Sequence, residues 1–163
     1  MKKFELTNEF ITNMFGTKLF RIRALVEFGD VEAGELGGYV EKESNLGHDD
    51  NAWVYDNAWV YGNAQVSGNA QVSGNARVCG NGDYAYAHGF GSVNRTTTFF
   101  RLKDGGVGVR CGCFYGTLAQ FRDKIRETHG ETKKAQEYLM LADLMELRFE
   151  EDENEVGNRK YVE

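Results

Sequence analysis

Residues 51–80 read NAWVYD NAWVYG NAQVSG NAQVSG NARVCG, five successive units of six residues. In each unit an alanine and a valine stand two positions apart, so their side chains share one side of an extended strand. Glycine and asparagine at the unit boundaries form turns, because glycine adopts positive φ freely and asparagine tolerates it. A period of six does not match the 3.6-residue period of an α-helix. The stretch therefore predicts short strands with buried alanines and valines, joined by corners.

The six-residue phase continues on both sides of this stretch in less regular form. Counted back from Val54 or Ala52, and forward from Val78, it predicts inward-facing residues at Leu36, Val40, Lys42, Leu46, His48, Tyr84 and Phe90. We therefore expect degenerate repeats over 36–90.

The Asn-Ala-x-Val-x-Gly unit resembles the hexapeptide-repeat family, whose members fold as a left-handed parallel β-helix with three repeats in each triangular coil. The resemblance implies a mainly β fold, in which residues 36–90 form a short left-handed parallel β-helix of about three coils. In that geometry Trp59 would lie beneath Arg77 and Trp53 beneath Gln71.

The flanking sequence predicts other elements. Residues 1–35 are expected to form an N-terminal cap with a strand over 20–26. Alternating residues around Asp104-Gly105-Gly106 predict a hairpin over 96–113. Thr117 and Gln120 have the spacing of a capping box, which starts a helix that Gly130 ends, and a second helix is expected over 132–150. Thus 91–150 forms a C-terminal hairpin-helix-helix region, and 151–163 an acidic tail expected to be mobile.

Composition excludes several classes of protein. The net charge of −6 comes entirely from residues 137–163, and the rest of the chain is neutral. Such a distribution gives no attraction to DNA, RNA or anionic membranes. No apolar run reaches the ~20 residues that span a bilayer. The three cysteines are an odd number at uneven spacing, which indicates a reducing cytoplasm without a disulfide framework.

A second resemblance covers VRCGCFYGTL at 109–118, His129-Gly130 and LGGYV at 36–40. These segments resemble small hexapeptide-repeat proteins encoded by phages and prophages. The resemblance implies a phage setting, with the protein in the cytoplasm of the infected bacterial host.

Many hexapeptide-repeat proteins are acyltransferases that use a histidine base and coenzyme A. The candidate bases are His48 and His88. Against this activity, no long loop interrupts the regular repeats to build an acceptor pocket. The carbonic anhydrase branch of the family needs two histidines on one face, and the spacing of His48 and His88 does not provide them.

Three residues are weak candidates for a soft-metal site. Cys111 and Cys113 share one face of the predicted strand, and His129 could add a third ligand. Two small thiols between Val109 and Phe114 more often pack into a core, so we expect neither a metal nor another cofactor. Cys79 stands at an outward position and is expected to be an ordinary surface or interface thiol.

The outward positions of the first two units hold large rings. These rings form either a subunit interface, as expected for a homotrimer, or a surface that stacks on a flat ligand such as a nucleobase. The candidate ligand-binding residues are Trp53, Tyr55, Trp59, Tyr61 and Arg77.

The sequence thus favours an oligomeric, non-catalytic binding protein of phage type. The sharpest form of this hypothesis is sequestration of a nucleotide-derived host defence signal between subunits. The alternatives are an acyltransferase that uses coenzyme A and a structural or protein-binding module.

Overall fold

A computed structural model describes residues 2–91 and 95–150, and within these ranges the fold is mainly β with two α-helices. The strands are β1 Phe4–Thr12, β2 Lys18–Ala24, β3 Leu36–Val40, β4 Trp53–Val54, β5 Trp59–Val60, β6 Gln71–Val72, β7 Arg77–Val78, β8 Tyr84–Phe90, β9 Arg95–Arg101, β10 Val107–Cys111 and β11 Phe114–Thr117. The helices are α1 Leu118–His129 and α2 Lys133–Phe149, and short 3-10 helices cover Glu43–Asn45 and Asn81–Asp83.

The largest sheet joins the N-terminal hairpin to the repeats in the order β1-β2-β3-β5-β7. Its first three strands pair antiparallel, and β3, β5 and β7 pair in parallel. A separate parallel pair joins β4 to β6. The repeats therefore begin at the edge of an antiparallel hairpin, and both share one hydrophobic core.

The alanines and valines of residues 51–80 are all buried, as the spacing predicts. Trp53 lies opposite Gln71 and Trp59 opposite Arg77, so both expected pairings are confirmed. Gly62, Gly68 and Gly74 at the corners take positive φ, and Asp56 does so where the first unit lacks a glycine. Acidic side chains stabilise these corners: Gly68 N–H donates to Asp50 Oδ2 at 2.7 Å, and Gly74 N–H donates to Asp56 Oδ2 at 3.0 Å.

The C-terminal region is an antiparallel sheet of order β11-β10-β9-β8 with α1 and α2 packed on one face. Successive residues of β9 face opposite sides, so Phe100 joins the core of the repeats while Phe99 joins the core beneath the helices. The Thr117–Gln120 capping box forms, and Gly130 ends α1. Among the described residues no helix has both the length and the apolar character needed to cross a bilayer.

The prediction of a short left-handed parallel β-helix as the fold is wrong. Named parallel strands are confined to β3 and four strands of two residues, the largest sheet is mixed, and the C-terminal sheet is antiparallel throughout. The physical reason is that the flanking segments form longer strands than the repeats do. Residues 84–90, counted above as degenerate repeats, form β8 and pair with the antiparallel β9, with one register shift between His88 and Phe90, instead of turning at a corner.

The upstream phase is also wrong. Counting in sixes put Val40 and Leu46 in line with the alanines, but Val40 pairs with Val60 and Leu46 bridges to Val66. The chain between Leu46 and Ala52 therefore contains two residues more than the six-residue period allows. Extending the period backwards from Val54 cannot reveal such an insertion. The acidic tail at 151–163 lies outside the described residues.

Candidate ligand-binding face

The outer side of the largest sheet holds a row of four side chains from four neighbouring strands. Arg21 of β2 lies opposite Tyr39 of β3. Tyr39 lies opposite Trp59 of β5, which in turn lies opposite Arg77 of β7. Because directly opposed residues point to the same side of a sheet, the four side chains form one surface, which we call the outer face.

Arg77 is held over the indole ring of Trp59. Its guanidinium carbon lies 3.8 Å from the ring centre, and Nη1 donates to the carbonyl oxygens of Ala76 at 2.8 Å and Asn57 at 3.4 Å. Burial lowers the pKa of the Arg77 guanidinium, and no carboxylate among the described residues forms an ion pair with it. Arg77 is therefore a cation on an aromatic surface whose charge no neighbouring acid neutralises.

Arg21 occupies the matching place beside Tyr39 but is already paired. Its guanidinium carbon lies 4.4 Å from the centre of the Tyr39 ring, and Nη2 donates to Tyr39 Oη at 2.6 Å. Its Nε forms an ion pair with Glu9 Oε2 at 2.8 Å. This end of the outer face is closed by contacts within the chain, and Tyr39 is buried.

A cleft of about 220 Å³ lies alongside the row, since Glu41, Tyr61 and Cys79 in its wall follow Tyr39, Trp59 and Arg77 by two positions. The Tyr61 ring connects the two, because its centroid lies 6.4 Å from that of Trp59 at an interplanar angle of 71° and its side chain also lines the cleft. We call Trp59, Tyr61 and Arg77 the Trp59 patch. The cleft lies between the repeats and the β1–β2 turn and is lined by Asn13, Phe15, Thr17, Glu41, Tyr61, Gly62, Asn63 and Cys79.

The other two candidate ligand-binding residues lie elsewhere. Trp53 is 0% exposed and contacts Phe4 and Phe28, with ring centroids 6.3 Å and 5.3 Å away. Tyr55 is half-buried beneath Arg110, whose guanidinium carbon lies 4.0 Å from its ring centre. The structure thus brings together Trp59, Tyr61 and Arg77 and places Trp53 and Tyr55 beneath the flanking elements.

The two candidate bases of an acyltransferase do not meet. His48 Nδ1 accepts the backbone N–H of Lys3 at 3.0 Å, and Nε2 lies 3.2 Å from Glu43 Oε1. Both ring nitrogens of His48 are therefore engaged in contacts within the chain. His88 is exposed on β8, with Nδ1 2.7 Å from Thr96 Oγ1. His48 lines an open groove with Lys2 and Glu43, and no described pocket brings His48 and His88 together.

Cys111, Cys113 and His129 line one cavity in the C-terminal region. Cys113 lies in the turn between β10 and β11 instead of on the strand that holds Cys111, so the expected shared strand face is not formed. Across residues 2–91 and 95–150 no cluster of three or more His, Cys, Asp or Glu side chains has the geometry to hold a metal ion. Cys79 is half-buried and its Sγ donates to Asp83 Oδ2 at 3.3 Å.

Sequence reasoning missed Arg21 and Tyr39 as members of the outer face. The alternating pattern over 20–26 places Arg21 on the polar side of a strand, so the sequence did indicate that its side chain points away from the core. It did not show which strand would lie beside it, because the antiparallel β2–β3 pair joins residues outside the regular repeats.

Known protein families provide no match: no family model fits the chain, and no curated protein sequence resembles it closely enough to be matched. Together with the mixed and antiparallel sheets, this overturns the resemblance to hexapeptide-repeat proteins and to their phage-encoded members. Function must therefore be argued from the site alone.

Proposed function

We propose that the protein is a non-catalytic binding protein that holds a flat, anionic, nucleotide-derived small molecule at the Trp59 patch. The supporting observation is the Arg77 guanidinium, which lies 3.8 Å over Trp59 without a carboxylate partner in the described part of the chain. A flat ring stacks on such a surface, and an acid group is attracted to the cation.

A nucleotide combines the two features that the patch recognises, because its base is flat and its phosphate is negatively charged. The cleft beside Tyr61 offers room for a further part of the same molecule. Phosphate binds arginine well, since the guanidinium presents several N–H donors in a fixed plane.

The chemistry of the patch favours holding the ligand unchanged. Trp59 offers only an N–H donor and Arg77 remains protonated, so neither acts as a general base near neutral pH. We therefore propose sequestration: the bound molecule is removed from solution and later released intact. The cytoplasmic location inferred from the cysteines remains a prediction.

We further propose that the patch lies at a boundary between copies of this chain, as in a homotrimer. Met14 and Phe15, at the turn beside the cleft, are 89% and 69% exposed. Exposed apolar side chains next to a groove are typical of contact surfaces. A single-chain mass by light scattering would contradict this part of the proposal and leave the ligand site itself open to test.

The ligand site is tested by calorimetry and tryptophan fluorescence with cyclic nucleotides, AMP and ADP-ribose. The chain has two tryptophans, and Trp53 is fully buried, so a ligand at the patch should quench Trp59. A Trp59→Phe variant should lose the quenching. Arg77→Gln should weaken binding about tenfold or more, because a hydrogen bond to a charged group contributes about 1.5–3 kcal/mol.

Arg126→Gln is the matched control, since Arg126 is an exposed arginine of α1 whose partner is Asp123 at 3.7 Å. It should bind as the unchanged protein does. Ligand recovered after denaturation should have its original mass. Absence of heat and quenching across the whole panel, or equal affinity in Arg77→Gln, would show that the proposed function is wrong.

A further inference from the structure

A second cavity, of about 240 Å³, lies in the C-terminal region, away from the outer face. Its walls come from the β10–β11 turn, from the second half of α1 and from Tyr138 of α2. Phe114, Phe121 and Ile125 make one side apolar. The volume is below the roughly 300–1,000 Å³ of pockets for drug-sized molecules, so any ligand is small. We call this space the thiol cavity, because Cys111 and Cys113 also line it.

The charged side chains of the thiol cavity are all basic. Arg95 and Lys124 line it, and none of the described residues that line it is an aspartate or a glutamate. Within the described ranges neither cation forms an ion pair with a carboxylate of the chain. Arg95 lies directly across Gly112, where a Cβ atom would collide with its guanidinium, so the absence of a side chain at Gly112 makes room for this cation.

A thiol and a phenol supply further polar groups of the cavity. Thr97 Oγ1 donates to Cys111 Sγ at 3.3 Å, and the Tyr138 hydroxyl lies 3.9 Å from the same sulfur. Burial, followed by the proximity of Cys111, raises the pKa of Tyr138 to about 12. The hydroxyl therefore stays protonated at neutral pH and can donate a hydrogen bond to an acid group.

We infer that the thiol cavity is a second binding site, which takes a small organic anion. Arg95 and Lys124 hold the acid group, and the apolar body of the ligand packs against Phe114, Phe121 and Ile125 beside the Cys111 thiol. An anion fits because Arg95 and Lys124, both exposed at the edge of the cavity, lie next to its apolar side, and a hydrogen bond between two charged groups is stronger than one between neutral groups. This inference does not depend on the proposed function of the Trp59 patch.

The alkylation rate of the Cys111 thiol is a direct measure of how the cavity attracts an anion. A variant with Cys79→Ser and Cys113→Ser keeps Cys111 as its only cysteine. Its alkylation is measured with iodoacetate, which is an anion, and with the neutral iodoacetamide. In both reactions the thiolate forms a C–S bond and iodide leaves, so their rate ratio isolates the effect of charge. We expect the ratio to exceed that of a variant retaining only Cys79, which lies in the cleft with Glu41, by about tenfold.

The decisive test is whether an anion that does not react with thiols protects Cys111 from alkylation. Benzoate or phenyl phosphate should slow the alkylation of Cys111 with saturation, and benzamide, the neutral analogue of benzoate, should not. Arg95→Gln and Lys124→Gln should each weaken the protection about fivefold or more, with folding checked by circular dichroism. The inference is overturned if neither anion protects Cys111, or if benzamide protects it as well as benzoate does. Because protection is measured on a chain with both cations intact, failure of either variant to fold leaves the test valid.

Discussion

Residues 51–55 and 57–61 are the same sequence, NAWVY, in two regions with different surroundings. In the first, Trp53 is 0% exposed and packs edge-on against Phe4 and Phe28. In the second, Trp59 stays half-buried, with the Arg77 guanidinium over its ring and the Tyr61 ring edge-on to it. Trp53 is thus part of the hydrophobic core, and Trp59 keeps part of its ring accessible to solvent. Identical local sequence thus fixes the direction of a side chain but not whether another segment covers it.

The covering segments explain the difference. N-terminal residues close over Trp53, and the C-terminal sheet covers the rest of that face, since Thr98 Oγ1 accepts the Gln71 N–H at 2.9 Å. Trp53 Nε1 is buried without a hydrogen-bond partner in the described part of the chain, which costs free energy that the packing of its ring offsets. Over Trp59 the β1–β2 hairpin lies to one side and forms the cleft.

The largest expected effect separates the two tryptophans. Trp53→Ala should lower the free energy of unfolding by about 3–5 kcal/mol, because it empties a fully buried space. Trp59→Ala should cost only about 1–2 kcal/mol, from half-buried area and one partly buried cation–π contact. Chemical denaturation of both variants provides the measurement. Equal losses would mean that the two regions do not differ as described.

A smaller effect is expected at Gly37 of β3, which lies against the buried region. A Cβ there would stand 2.6 Å from the Val54 carbonyl oxygen and 2.7 Å from Trp53 Cζ2. Gly37→Ala should therefore destabilise the protein by about 1–3 kcal/mol through overpacking.

Gly80→Ala is the control for this substitution. Gly80 has an extended backbone with φ −155°, and a Cβ there would meet no heavy atom within 4 Å. It should be neutral or stabilise by up to about 1 kcal/mol, because alanine restricts the unfolded chain. Thermal melts of both variants test the pair, and a melting temperature equally lowered in Gly80→Ala would contradict the explanation.

The smallest expected effect is on the pH dependence of stability and concerns Tyr55. Tyr55 and Tyr61 end the two NAWVY segments, and Tyr55 is the one covered by Arg110. Burial raises the pKa of Tyr55 from its usual 10.0. Since the folded pKa is higher than the unfolded one, this contribution to stability is present below pH 10 and is lost as the pH rises through the folded pKa. Denaturation between pH 9 and pH 11 should show a shallower alkaline loss of stability in Tyr55→Phe than in the unchanged protein. A loss of the same steepness would argue against desolvation of Tyr55.

Local sequence predicted some elements well. The alternation of alanine and valine correctly placed the buried side of residues 51–80, because a two-residue spacing fixes side-chain direction in any strand. Thr117, Gln120 and Gly130 correctly bounded α1, since capping depends on neighbouring residues. The left-handed parallel β-helix was wrong because β1, β2 and the C-terminal strands pair antiparallel across long stretches of chain. Of the candidate ligand-binding residues, the structure assembles Trp59, Tyr61 and Arg77.

By itself the sequence determined which side chains of residues 51–80 point inward and where the two helices begin. These properties depend on neighbours along the chain, whose geometry is fixed by φ, ψ and side-chain spacing. Only the tertiary structure decided that Trp53 is covered while Trp59 is not, and that Arg95, Lys124 and Cys111 share a cavity. Those outcomes depend on contacts between distant segments, and a local pattern contains no information about which distant surface will close over it.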